Sequence, residues 1–322
     1  MHIETYYERD AELWDTFVQE SNNGTLFHTR KFLSYHPSDR FKDRSLIFLK
    51  KGNPIALLPA ADVETDSGRM LVSHPGSSMG SVVVPSGIAF ADTEDISSSL
   101  IAYAKTEGFD GIWITLPPTI YLKSPSEYME YSLMAEGFEY VHRNVTSVLQ
   151  LANSEEAILK NFKPSHRTAM RKSEKSGVRV RQSDDWEMFY TILEKNLNIR
   201  HGVSPTHTLK ELQSLAAMYP KKINLFGAFL EDKMIAGVVN FIVKENAALA
   251  FYISHDESFQ DYRPINLLFY SIFCWAIQNG IQTFDFGTFT VDGDPNRGLA
   301  RFKENFGASG VFRDTIQLMF TS

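Results

Sequence analysis

The densest run of side chains able to do chemistry lies between Lys160 and Arg181, where Lys160, Lys163, Arg167, Arg171, Lys172, Lys175, Arg179 and Arg181 face only Glu174 as an opposing charge. Arg167 and Arg171 are four residues apart, so a helix puts them on one face, and Lys163 and Lys175 extend the same stripe. Such a stripe can follow an RNA backbone; it can equally be a solvated helix face. Other chemistries find less support. The nine histidines are scattered, and His201 and His207 do not stand at a zinc-ligand spacing, so no metal is expected. Asp292-Gly293-Asp294-Pro295-Asn296 lacks the glutamate and glycine spacing of a calcium loop and reads as a turn. HPGSSMGS holds no nucleophile elbow, and Cys274 sits in an apolar helix as an inert thiol. Asp285, flanked by phenylalanines in TFDFG, reads as a structural, hydrogen-bonded carboxylate.

The elements that must position these groups follow from periodicity and punctuation. AELWDTFVQES predicts a helix with Leu13, Phe17 and Val18 facing a core, ended by Asn23-Gly24. SLIFLKKGNPIALLPAADVE predicts two strands joined at Lys51-Gly52-Asn53-Pro54; further strands are expected at Ser81 to Val84 and Gly111 to Thr115, with a helix from Ile96 to Thr106. From VTSVLQL onward the order restarts. Ser154 caps one helix, Pro164 opens the basic one and Gly177 closes it. DDWEMFYTILEKNLNIR predicts another helix. INLFGAFLEDKMIAGVVNFIVKENAALAFYIS then predicts three successive strands, followed by the helix INLLFYSIFCWAIQNG, the strand QTFDFGT and a last strand near DTIQLMF. This is an α+β order, helices covering one mostly antiparallel sheet in each half. Two domains are expected, 1–145 and 146–322.

Composition bounds the rest. With 322 residues, 43% hydrophobic and 22% charged, the chain can build two packed cores. A net charge of −7 argues against general nucleic-acid binding and leaves the local cluster to carry any such role. The single cysteine excludes an internal disulfide and fits a reducing compartment. No basic, apolar leader and no run of about 20 apolar residues is visible, so a cytoplasmic protein without a transmembrane segment is expected.

The strand AFYIS, the turn HDESFQDYRP, the helix from near Asn266 and the strand TFDFG resemble the centre of the GNAT acyltransferases. In acyl-CoA members a glycine-rich loop at this helix start offers N–H groups to a pyrophosphate. Here Gln260-Asp261-Tyr262-Arg263-Pro264-Ile265-Asn266 has no glycine and Pro264 removes a donor, which argues against an ordinary CoA donor unless Arg263 holds the phosphates. FKPSHRTAMRKSEKSGVRV, NIRHGVSPTHTLKELQSL with LFGAFLEDKMIAGVVNFI, and GLARFKENFG together resemble the Fem-type peptidoglycan aminoacyl and peptidyl transferases of that superfamily; the first half is similar more loosely.

The resemblance implies two tandem GNAT-like domains, no cofactor, and transfer of an aminoacyl group from aminoacyl-tRNA to a primary amine, such as that of a peptidoglycan precursor. It implies that Lys303, in a turn beside Phe302, lies at the acyl-transfer centre, where a cation would stabilise the charge that develops on an attacked ester. It implies that Arg200 and Lys31 hold the acceptor's phosphates, that Tyr252 lines the acceptor channel and that Arg167 and Arg171 meet tRNA. Read from the residues alone, Arg200 can instead close a helix C-terminus, and Tyr252 can be an ordinary half-buried strand residue. His201 departs from the acid usual in the family, which bears on the acceptor. The alternatives are an acyl-CoA-dependent N-acyltransferase and a non-catalytic GNAT-like binding module.

Overall fold

The computed structural model describes residues 1–201, 204–291 and 293–320, with side chains for all of these except 198–201 and 291. In chain order the elements are β1 (His2–Thr5), α1 (Ala11–Glu20), α2 (Arg30–Leu33), β2 (Lys42–Asp43), β3 (Leu46–Lys50), β4 (Asn53–Leu58), β5 (Ala60–Thr65), β6 (Gly68–Ser73), α3 (Phe90–Thr106), β7 (Gly111–Thr115) and α4 (Tyr128–Ala135). There follow β8 (Glu139–Gln150), α5 (Glu155–Asn161), α6 (Pro164–Lys175), β9 (Val178–Ser183), α7 (Trp186–His201), α8 (Leu209–Met218), β10 (Ile223–Leu230), β11 (Lys233–Lys244), β12 (Ala247–His255), α9 (Pro264–Gln278), β13 (Thr283–Thr288), β14 (Thr290–Val291), β15 (Asp294–Pro295), α10 (Arg297–Glu304) and β16 (Ser309–Met319). Two units form: Met1–Asn144 with Phe312–Ser322, and Val145–Val311.

In the first unit β1, β3 and β4 make a small antiparallel sheet, and β2, β5, β6, β7 and β16 run in that order in a larger one. The β3–β4 hairpin turns at Lys51 and Gly52, both with positive φ (52° and 79°), as a tight primed turn requires. The core gathers Leu46, Phe48, Leu71, Ile96, Leu100 and Ile112. In α1 Val18 is buried and Phe17 packs against the same cluster, as expected, whereas Leu13 is 46% exposed and Trp14 takes the inward position instead. The register is set by Trp14, whose Nε1 donates to the His28 carbonyl at 2.8 Å. The strand expected at Ser81 to Val84 is reduced to one bridge between Val83 and Leu57. The expected range 146–322 also loses its end. From Phe312 the chain belongs to the first unit, where β16 pairs antiparallel with β7 from Thr315↔Thr115 to Met319↔Gly111.

In the second unit the strand order is β8, β13, β12, β11, β10, β9. All neighbours are antiparallel except β12 and β13, which run parallel on either side of the α9 crossover. The first unit repeats this scheme: the β5–β6 hairpin, then α3, then β7 parallel to β6. The second core is strongly aromatic, with Phe162, Phe269, Phe273, Phe284, Phe286 and Phe306 fully or nearly fully buried between α5, α6, α9, α10 and the sheet.

Candidate active site

The parallel pairing of β12 with β13 is registered only from Ala247↔Thr283 to Leu249↔Asp285, although both strands continue three residues or more beyond it. Each arm carries an irregularity just past that point. On β12 the register to β11 moves from Val239↔Tyr252 to Asn240↔Ala250, so Phe251 is an inserted residue. Ala248, Ala250 and Ile253 face the aromatic core under α9, whereas the insertion turns both Phe251 and Tyr252 toward His207 on the other face, at ring distances of 5.2 and 5.9 Å. On β13 the register to β8 shifts between Asp285 and Thr288. Gly287 there has φ of 76°, a conformation that favours glycine.

Asp285, 1% exposed, braces the β13 irregularity: it accepts the Gly287 N–H at 2.7 Å and the Thr146 hydroxyl. Lys303 closes it from the other direction, its ammonium donating to the carbonyls of Gly287 at 2.7 Å and Thr288 at 2.9 Å. Lys303 is not in a turn, as expected, but in the last turn of α10, and it is 1% exposed. The helix forms because Asn296 caps it, accepting from Leu299 N–H at 3.0 Å, and because Phe302 and Phe306 pack into the aromatic core on one face. Burial pushes the Lys303 ammonium down to about 8, against the opposing pull of Asp285. Phe302 lies 5.1 Å from the Phe306 ring and 5.7 Å from His166, so it anchors α10 in the aromatic core.

Tyr252 is half-buried, and its hydroxyl lies 2.8 Å from His207 Nδ1 and accepts the His207 backbone N–H at 3.2 Å. Burial pushes this phenol up to about 12. Tyr252 and the carbonyls that hold Lys303 thus lie on different arms of the pair, both beyond its last registered residues.

The other expected residues are placed as follows. Arg263 is exposed, with φ of 55°, immediately before α9. At that helix start the Arg263 and Asn266 amides donate to Gln260 and Arg263 carbonyls, and Pro264 has none to offer. On α6, Arg171, Lys172 and Lys175 are exposed, while Arg167 is half-buried and donates to the Leu159 carbonyl at 3.4 Å. Arg200 and His201 lie where side chains are outside the described residues. Lys31 is exposed on α2 of the first unit, beside a cavity of about 690 Å³ also lined by Arg30, Asp15, His36 and His74. Cys274 is half-buried, and burial pushes its thiol up to about 11, which keeps it protonated. Among the described residues no cluster of three or more His, Cys, Asp or Glu could hold a metal ion, and no described helix is long and apolar enough to cross a membrane.

Residues 160–304 match the family model for an acetyltransferase (GNAT) domain. The second unit is a GNAT domain. The splayed parallel pair thus belongs to the GNAT unit, inside the matched segment. Over the whole chain the fold is that of FemX, with a TM-score of 0.73 at 15% identity, covering 99% of this chain and 98% of that one. L-PGS from Bacillus licheniformis is similar at a TM-score of 0.61 and 13% identity, covering 99% and 94% of the two chains. A tandem GNAT protein from the clavulanic acid biosynthesis pathway is similar at 0.55 and 10% identity, over 100% of each chain. A comparison with curated protein sequences finds no match. These likenesses show that the chain shares its tandem GNAT-like fold with these proteins.

Two participants escape sequence reasoning. Thr208 and Glu211 form a capping box that is legible in the sequence and sets His207 just outside the start of α8, yet nothing in the spacing pairs it with Tyr252, 45 residues away. The Thr146 contact to Asp285 spans 139 residues and is equally silent in the sequence.

Proposed function

We propose that the GNAT unit transfers an aminoacyl group from aminoacyl-tRNA to a primary amine, and that the acceptor is an amine of a peptidoglycan precursor. The observation that carries this reading is the buried Lys303 ammonium at the open end of the β12–β13 pair. An ammonium has three donors; two rest on carbonyls of β13, and the third is left for an oxygen brought by the substrate. Attack of a neutral amine on the ester carbonyl forms the N–C bond and loads negative charge onto that oxygen. Collapse then breaks the C–O bond and releases the tRNA hydroxyl. A fixed cation in a water-poor site stabilises the charged stage.

The choice of donor is supported by the start of α9, where Pro264 has no N–H and the Asn266 amide already donates to the Arg263 carbonyl, and by the exposed Arg171, Lys172 and Lys175 on α6. Arg200 and Lys31 are proposed to hold acceptor phosphates, Arg263 would hold donor phosphates if the donor is acyl-CoA, and the use of charged tRNA puts the proposed reaction in the cytoplasm. A second reading, an acyl-CoA donor, is favoured by the GNAT family match itself. The test is to incubate the purified chain with labelled mixed aminoacyl-tRNA or labelled acyl-CoA, together with a lysine-containing precursor peptide, and to follow label by mass spectrometry. Label arriving only from acyl-CoA overturns the proposed donor, and label from neither source favours a binding module.

A further inference from the structure

We propose that Tyr252 and His207 act as one proton-accepting pair for the attacking amine, with Tyr252 touching the amine and His207 positioning and relieving it. The inference rests on the acyl-transfer reading above and supplies the proton acceptor that reading leaves open.

The Tyr252 hydroxyl makes two contacts with His207. The oxygen accepts the His207 backbone N–H at 3.2 Å, which uses one lone pair. In this proposal its own hydrogen is directed at His207 Nδ1, 2.8 Å away. Nδ1 is then the unprotonated nitrogen, and the neutral ring carries its hydrogen on Nε2. The backbone around His207 is pinned independently: Tyr190 of α7 donates to its carbonyl at 3.1 Å, and the Thr208–Glu211 capping box follows at once. His207 itself is 3% exposed, packed against the Phe251 ring.

Thr206, next to His207 in the chain, is exposed. An incoming amine N–H takes the remaining lone pair of the Tyr252 oxygen. The amine nitrogen would then sit on the β12 arm, with Lys303 held on the β13 arm. As the N–C bond forms, the amine proton passes to the Tyr252 oxygen and the Tyr252 proton passes to His207 Nδ1. When the ester C–O bond breaks, the path reverses and the proton is delivered to the leaving tRNA hydroxyl oxygen. No proton is gained or lost overall. A phenol held near 12 cannot wait in ionised form at neutral pH, so it serves as a base only if its own proton leaves as the new one arrives. The imidazole gives it that exit.

The experiment compares wild type, His207→Asn, His207→Leu and Tyr252→Phe in transfer from labelled mixed aminoacyl-tRNA, or from acyl-CoA if that is the donor used, to a lysine-containing precursor peptide. Asparagine keeps an oxygen acceptor near the Nδ1 position but cannot take up a proton. The expected result is that His207→Asn and Tyr252→Phe both lose on the order of 100-fold in kcat, with KM and the unfolding midpoint nearly unchanged for His207→Asn. NMR of nitrogen-labelled histidine in the wild type should show His207 with hydrogen on Nε2 and none on Nδ1. A wild type that transfers normally while His207→Asn keeps its kcat overturns the pair as proton acceptor and leaves the acyl-transfer reading intact, as does a protonated Nδ1 in the wild type. A wild type that transfers from neither donor overturns the acyl-transfer reading, and this proposal with it. His207→Leu supplies the structural comparison: if it merely unfolds, the decision rests on His207→Asn and the NMR tautomer.

Discussion

The Lys303 ammonium sits 2.7 Å from the Gly287 carbonyl, so a buried cation on a helix holds a strand at the point where that strand leaves its parallel neighbour. One side chain thereby couples local backbone shape to local charge, and the two effects separate by substitution.

Lys303→Met keeps much of the aliphatic bulk but leaves two carbonyls without donors. A cost of about 1–3 kcal/mol in stability is expected, together with a loss of about 100- to 1,000-fold in turnover if the cation stabilises the oxyanion. Thermal unfolding and single-turnover transfer measure the two separately. Lys303→Arg should restore only part of the rate, because a planar fork does not reproduce a point charge. Near-normal turnover in a folded Lys303→Met protein would falsify the proposed role.

The depressed Lys303 value also sets a pH dependence. Its folded pKa of about 8 lies below the ordinary 10.5, so between these limits the unfolded chain binds more protons than the folded one. The stability of wild type relative to Lys303→Met should therefore rise as pH increases from about 8 to 10.5, by at most about 1.4 kcal/mol per pH unit. Transfer should show the opposite trend, falling above pH 8 as the ammonium is lost. Denaturant titrations and rate profiles across this range, on both proteins, decide it.

If the α6 face meets tRNA, affinity should fall with salt at a log–log slope of about −0.7 to −0.9 per phosphate contacted. Arg171→Glu should flatten that slope more than Arg167→Glu, because Arg171 is exposed whereas Arg167 is half-buried against the Leu159 carbonyl. Filter binding over a salt series gives both slopes, and identical slopes in all three proteins would remove α6 from the interface.

In the first unit Asp62 accepts both arms of Arg69, at 3.0 and 2.8 Å, and lies within reach of Lys42. The Arg69 hydrogen bonds hold its carboxyl down to about 2. A depressed carboxyl stabilises the fold above its ordinary value near 3.8, and that contribution fades as pH falls toward 2. Asp62→Asn should cost about 1.5–3 kcal/mol at neutral pH, and the difference from wild type should shrink below pH 4. Chemical denaturation at pH 7 and pH 3 tests this.

The three-strand run, crossover helix and following strand of the second half were legible because INLFGAFLEDKMIAGVVNFIVKENAALAFYIS alternates apolar runs with Glu231-Asp232 and Glu245-Asn246 turns. Helix α6 was legible from Pro164 and Gly177. What stayed hidden depends on partners distant in sequence. The inward turn of Trp14 needs the His28 carbonyl, the burial of Lys303 needs the Gly287 and Thr288 carbonyls, and Tyr252 needs His207. Local periodicity cannot encode where a side chain finds such an acceptor.

The strand beside β7 is drawn from the far end of the chain, after the whole stretch Val145–Val311. During synthesis the first unit to emerge from the ribosome is therefore the last to be completed, since its sheet waits for Thr315–Met319 to be translated. A nonsense mutation near residue 310 would remove the strand that pairs with β7 and leave β7 with an edge open to aggregation.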